Sequence, residues 1–532
     1  MTLCSSYAKF DGVIIPASRW TVLAAVCLAV FVVNVATSVI NIALPSLVSE
    51  LGASTGDLLW IVDAFNLAFA ALVLAGGSLS DRFGRRRSLI IGLAGFAATS
   101  LAGAWSSDPN MLIAWRAAAG VFAAVIFPVT LSIISNVFED RRERATAIGI
   151  WGAATGLAVA LGPVVGGALI EHFWWGSILV FNGAVALVAL VLAVLLVPES
   201  RDPEVPPLDI RGLVLSTAGF ALLVHAIIQA PERGWGSTTS LVAFAIAVLV
   251  LVVFVLQERR TTHPMLDVGL FRNMRFTAAS TAIAFAFFGL FGFIFLVTQY
   301  FQFVRGYGPL EAGLRTLPVA TSIAIGSVIG TPLAVRFGSK LVVAGGLLSL
   351  TIAFTWISLV TQTTSYAQIV GQMAFLGLGL GFTSSPATEA IMGVVPKAKA
   401  GIGSAVNDAT RELGGTLGVA VIGSVALSLY RDALDKAQIP QAAAGPAHES
   451  IGGALEAARQ IAQSGHIDAA MKLTSIAKDG YLDGMAAGCL VAAAVTLTGA
   501  LLTLAFLPAH PGTTQHDAAR QRLTGDPPSR PS

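Results

Sequence analysis

The chain has 532 residues, 55% of them hydrophobic and 12% charged, with a net charge of +2 and a mean hydropathy of +0.77. A soluble domain carries about 25% charged residues, so half of the usual charged surface is missing and an ordinary soluble fold is excluded. The near-neutral balance offers no basic surface to nucleic acid, and the scattered Cys4, Cys27 and Cys489 suggest neither a disulfide framework nor a metal site.

Apolar runs near twenty residues recur from end to end, the length an α-helix needs to cross about 30 Å of hydrocarbon. The first, after Arg19, lacks the basic segment and cleavage signal of a leader and reads as a retained membrane helix. Spans are predicted at 20–46, 57–79, 88–106, 111–134, 145–170, 177–197, 211–231, 238–257, 275–301, 311–335, 340–360, 366–392, 402–429 and 483–507, fourteen in all. Most connections are short. The exception is 430–482, a polar, Ala/Gly-rich segment whose pieces ESIGGALEAARQIA and GHIDAAMKLTSIAK read as an amphipathic helical hairpin. Basic residues collect in the even-numbered loops, from Arg82 to Lys399, while the short odd-numbered loops hold little beyond Arg233 and Arg305. By the positive-inside rule both termini are expected in the cytoplasm and the 430–482 segment outside.

The chain also repeats itself. LSDRFGRRR (79–87) recurs as LAVRFGSKL (333–341), and FPVTLSII (127–134) more loosely as SPATEAIM (385–392), both about 255 residues later. The expected fold class is therefore all-α integral membrane, with two parallel six-helix bundles and spans seven and eight inserted between them. The boundaries read as a cytoplasmic N-terminus (1–19), an N-terminal bundle (20–198), a linker with the two inserted helices (199–258), a C-terminal bundle carrying the extracytoplasmic loop (259–507) and a cytoplasmic tail (508–532). Repeats of this type put a transport site between the halves.

Charges inside spans are expensive and are the first candidates for function. Asp63 lies six residues into span two, counted from Asp57, and Arg116 six residues into span four, counted from Asn110. Both are then about 9 Å deep. At about 6 Å and an effective dielectric near 20 their attraction is roughly 3 kcal/mol. A structural ion pair is the plainer reading. The sharper one is a titrating site, in which protonating Asp63 frees Arg116 and a cationic substrate competes with the proton. In span thirteen, Asp408 and Glu412 are four residues apart on one helix face, with Arg411 beside them. Asn34 and Asn41 in span one, and Gln299 and Gln302 closing the phenylalanine-rich run 285–303, are candidates to line a cavity. The phenylalanines themselves read mainly as packing, Glu389 as structural and His225 as a bystander. No G-x-x-x-x-G-K-[ST] loop occurs, which disfavours an ATP-driven pump.

The segment GGSLSDRFGRRR (76–87) matches the loop signature G-x-x-x-D-[RK]-x-G-[RK]-[RK] of the major facilitator superfamily through Gly77, Asp81, Arg82, Gly84, Arg85 and Arg86. RAAAGVFAA, with Arg116 and Gly120, resembles its R-x-x-Q-G motif with Ala119 in place of glutamine. GPVVGG (Gly162, Pro163, Gly166, Gly167) resembles the signature of its antiporter members, and NIALP (41–45) the V-N-x-A-L-P run of the fourteen-helix drug:proton antiporter branch. LLWIVD, VPESRD and ESIGG look closest to the quaternary-ammonium and multidrug efflux pumps of that branch. The resemblance implies a gating latch at Asp81, a proton-tight helix at GPVVGG, and cation-recognising or proton-coupling acids at Asp408 and Glu412. Two departures stand out: Ala36 takes the place of the family's span-one acid, and Val335 that of Asp81 in the second half. The function these readings imply is proton-coupled efflux of lipophilic, cationic compounds by a monomer among membrane lipids, with no enzyme activity, cofactor or metal. Rival readings are a dedicated exporter of one metabolite or antibiotic, a facilitator without proton coupling, and a sensor built on a transporter fold.

Overall fold

The computed structural model describes residues 18–138, 140–201, 209–261, 268–394, 400–436 and 441–508. Among them there are helices and connections but no strands. The first half holds α1 (Arg19–Leu51), α2 (Thr55–Phe83), α3 (Arg85–Ala104), α4 (Pro109–Val137), α5 (Arg141–His172) and α6 (Ser177–Leu196). The inserted pair is α7 (Ile210–Arg233) and α8 (Thr238–Arg260). The second half holds α9 (Met274–Gln299), α10 (Pro309–Phe337), α11 (Ser339–Ile357), α12 (Tyr366–Val394), α13 (Ala400–Lys436) and α16 (Ile467–Phe506), with α14 (Gln441–Glu449) and α15 (Ile451–Gln463) between the last two.

Thirteen of these helices are long and apolar enough to cross a membrane. The fourteenth predicted span, α12, is glycine-rich, which lowers its hydropathy, yet it is 29 residues long and wedged between α10 and α11. Local chemistry sets the helix starts. Ser54 and Asp57 form a reciprocal capping box on α2, and Asp108 caps α4 just before Pro109. The repeated RFG motif becomes one backbone device used twice. Gly84 (φ +112°) and Gly338 (φ +87°) each end one helix and start the next in a conformation that side-chain-bearing residues rarely adopt.

Two expectations need correcting. Helix α13 runs on to Lys436 and α16 begins at Ile467, so the segment between the last two spans is much shorter than 430–482. The polar residues there continue the helices beyond the apolar stretch, because helix propensity does not end where hydrophobicity does. The α14–α15 hairpin then lies on the end of the bundle that carries the α1–α2 turn. Thr55 Oγ1 donates to Glu449 O at 2.7 Å, Tyr430 OH donates to Ala447 O at 2.9 Å, and Gly452 sits against Val48 and Phe303. The inserted helices are also less peripheral than their position outside the repeats implied. Helix α7 packs along α2 and α13, with His225 near Trp60 at 6.1 Å between ring centres and Trp235 Nε1 donating to Ser428 Oγ. Helix α8 is apolar on all sides and largely exposed, as a lipid-facing helix must be.

The two halves meet along α2 and α13 and between α5 and α10, and several of these contacts lie at the α1–α2 end. Gly167 of α5 abuts Pro309 and Leu310 of α10, and Gly313 of α10 abuts the Pro163 carbonyl. Gln302, in a π-helical turn at Tyr300–Val304, donates to Ile42 O of α1 at 3.0 Å. Towards the opposite end, Ile150 and Leu157 of α5 and Ile325 and Val328 of α10 are exposed.

Candidate functional site

The seam between α2 and α13 holds the buried charge. Leu59 occupies the space a Cβ on Gly423 would need, so this stripe of α2 faces α13. Asp63 is one turn further along the same stripe, at 100° per residue, and is 0% exposed. Neither carboxylate oxygen has a hydrogen-bond partner.

Arg116 is buried as well (3% exposed) but looks elsewhere. Its Nε donates to Ile61 O at 3.0 Å and one Nη to Ala36 O at 3.1 Å, and its guanidinium lies over the Phe65 ring at 4.4 Å. The expected Asp63–Arg116 ion pair does not form: no oxygen of Asp63 lies within 4.0 Å of the guanidinium. The reason is azimuthal. Ile61 and Phe65 face α4, and Asp63, two residues from Ile61, points to the other side of the helix, since i and i+2 do not share a face. The two side chains point in different directions.

The span-thirteen acids lie lower on the same seam. Asp408 is buried and accepts from Asn407 Nδ2 at 3.4 Å, while Glu412 keeps one oxygen unpartnered. Arg411 turns away from both: it donates to Thr388 Oγ1 at 3.0 Å and lies over Phe287 at 5.3 Å. It makes no ion pair within 4.0 Å of either acid, although its charge acts on both.

Of the remaining candidates, Asn34 bonds to Val30 O and Gln299 to Phe295 O within their own helices. Asn41 is buried, donates weakly to Thr37 O and Ser38 O, and leaves its oxygen unpartnered. Gln302 is a strut between the halves. The GPVVGG glycines are contact points: Gly162 touches Ser38 and Gly166 touches Val39 of α1, and Gly167 touches α10. In the loop motif, Gly77 lies against Pro128, Arg82 over Phe83, and Arg85 N donates to Ser200 O at 2.8 Å. The Asp81 side chain lies outside the described residues. A residue that sequence reasoning passed over, Glu199, sits at the start of α3: its Oε1 accepts from Arg86 N at 3.2 Å, and Arg86 itself reaches Val194 O. Its signal was only a carboxylate in a basic loop. Asn66 of α2 and Thr416 and Ser424 of α13 were also missed; each is buried with an unpartnered oxygen.

Two repeated helical bundles packed against each other in a membrane protein, with unpartnered buried acids between them, are the architecture of a membrane transporter. Residues 26–419 match the model of the Major Facilitator Superfamily. The chain belongs to that family. It is 38% identical over 486 residues to the multidrug efflux pump LfrA of Mycolicibacterium smegmatis, covering 91% of this chain and 95% of that protein. It is 31% identical over 503 residues to the tetracenomycin C resistance and export protein of Streptomyces glaucescens, covering 92% of each. Among solved structures, an inward-facing, unoccupied bacterial homologue of the human lysosomal transporter Spinster superposes with a TM-score of 0.66 at 19% identity, covering 92% of this chain and 98% of that one.

Proposed function

We propose that this protein exports lipophilic, cationic small molecules across the cell membrane in exchange for protons, with both termini in the cytoplasm. The observation that carries the reading is Asp63: fully buried at membrane depth, without a counter-ion, on the seam the halves must open and close. An unpaired carboxylate in that setting is costly. Carrying a proton removes the cost, and giving the proton up creates a negative site that suits a cation. The α1–α2 end then faces outward, and in the described conformation α5 and α10 touch there. The relatives named for multidrug efflux and for tetracenomycin C export support outward transport of small molecules.

The test uses purified protein in vesicles with an imposed pH gradient and a panel of ethidium, methyl viologen and uncharged antibiotics. Gradient-driven flux of several cations is expected, and Asp63→Asn abolishes it. Intact gradient-driven flux in Asp63→Asn overturns the role of Asp63. Flux of one compound alone favours the dedicated exporter, a reading that the single-compound name of the Streptomyces relative also supports.

A further inference from the structure

Asn66 and Thr416 complete a row. On α2, residues 59, 63 and 66 fall within about 60° of one another; on α13, residues 412, 416 and 423 fall within about 40°. The Leu59–Gly423 contact fixes the antiparallel register, which sets Asn66 opposite Thr416 and Asp63 one turn before them. Further along, Ala409 of α13 belongs to the same buried apolar cluster as Phe69 and Val73 of α2. Along this stripe the unpartnered buried atoms follow in order: Asp63 Oδ1 and Oδ2, Asn66 Oδ1, Thr416 Oγ1 and Glu412 Oε2. Buried polar atoms are seldom left without partners, and a run of them marks a place for water.

Resting on the proton-coupled reading above, the structure assigns Asn66 and Thr416 as positioning residues of a water-bridged proton route that joins Asp63 to Glu412. The axial separation of the two acids is about 10 Å, from seven residues at 1.5 Å. Each half of that gap, about 5 Å, is the span of one water making two hydrogen bonds. The chemistry balances without a further reactant. Protonated Asp63 gives its proton to a water held by Asn66 Oδ1; the water passes a proton to the Thr416 hydroxyl oxygen as that hydroxyl hands its own onward; a second water delivers it to the Glu412 carboxylate. Asp63 ends ionised and Glu412 ends neutral. Two charged groups of α13 act on the inner end of the route: Asp408, one turn from Glu412 on the same face, and Arg411 both interact electrostatically with Glu412. Arg116 is held on the α4 side of α2, His225 of α7 lies against Trp60, and Arg411 is held by Thr388. Arg275 of α9 and Glu389 of α12, on helices that pack against α13, interact with each other.

The test uses the full-length protein in vesicles, with ethidium as the cation and an internal pH dye. Thr416→Val keeps the side-chain shape without the hydroxyl, and Asn66→Leu removes the amide. Each is expected to slow gradient-driven ethidium flux and the accompanying proton movement at least tenfold and to alter the pH profile, while ethidium–ethidium exchange stays within twofold of wild type. Thr416→Ser is expected to restore the rate. Wild-type flux and pH profile in both variants overturn the assignment, and so does an equal loss of exchange and gradient-driven flux. If the wild type itself shows no gradient-driven flux, the proton-coupled reading fails, and the route with it.

Discussion

Gly167→Ala tests whether the contact between α5 and α10 is part of the transport cycle. A Cβ at Gly167 would lie 2.5 Å from the Pro309 carbonyl oxygen and 2.6 Å from Leu310 Cα, both backbone atoms that no rotamer change can move aside. Overpacking of this kind costs about 1–3 kcal/mol. The cost falls only on the conformation in which the two halves touch at the α1–α2 end, so it acts as a differential energy between conformations. At 1.4 kcal/mol per factor of ten, the population moves by about 5- to 150-fold towards the form open at that end. Gly152 is the control, because the same helix there has open space around a Cβ, and any gain in helix propensity from alanine is shared by both variants. In a cysteine-free background, spin labels at Ser49→Cys and Gln362→Cys, both exposed and on opposite halves at that end, report the separation by pulsed electron resonance. A longer distance population is expected to grow in Gly167→Ala and to match the parent in Gly152→Ala. Identical distance distributions in all three proteins would refute the claim that this contact gates the cycle.

Two further outcomes follow from the packing. Arg116→Lys replaces a planar fork that serves Ile61 O and Ala36 O and stacks on Phe65 with a single ammonium group, so one bond and the stacking are lost. A loss of about 1.5–3 kcal/mol is expected, read as a lower melting temperature in detergent by tryptophan fluorescence; an unchanged value refutes the assigned partners. Glu199→Gln removes the charge at the start of α3 but keeps an acceptor for Arg86 N. The expected cost is only about 0.3–1 kcal/mol, since the carboxylate is partly exposed and its contact with Arg87 is long at 3.9 Å. A larger fall in the same melting assay would mean that Glu199 holds more than a helix end.

How much of this was legible beforehand differs by kind of feature. Spans, inserted pair and repeat are written locally: a run of twenty apolar residues, a polar break, a recurring RFG. Each acts within a few residues of itself, so a linear reading finds it. The failures share a cause. The loop before the last span was drawn too long because hydrophobicity marks the hydrocarbon layer, whereas the helix continues as long as its backbone bonds do. Asn66 and Thr416 were missed because a neutral polar residue in a helix has no signal of its own until a partner helix is set against it.

Counting residues placed Asp63 and Arg116 equally far into their predicted spans, since rise per residue is the same in every helix, and both are buried. Which way each side chain points depends on how far its helix is turned about its axis, and that turn is settled by where glycines let neighbouring backbones come close: Gly120 on Phe65, Gly423 on Leu59, Gly313 on Pro163. Those contacts join residues from about 55 to more than 350 positions apart in the chain. Only their summed packing sends the acid to the seam between the halves and the guanidinium to the carbonyls of its own bundle.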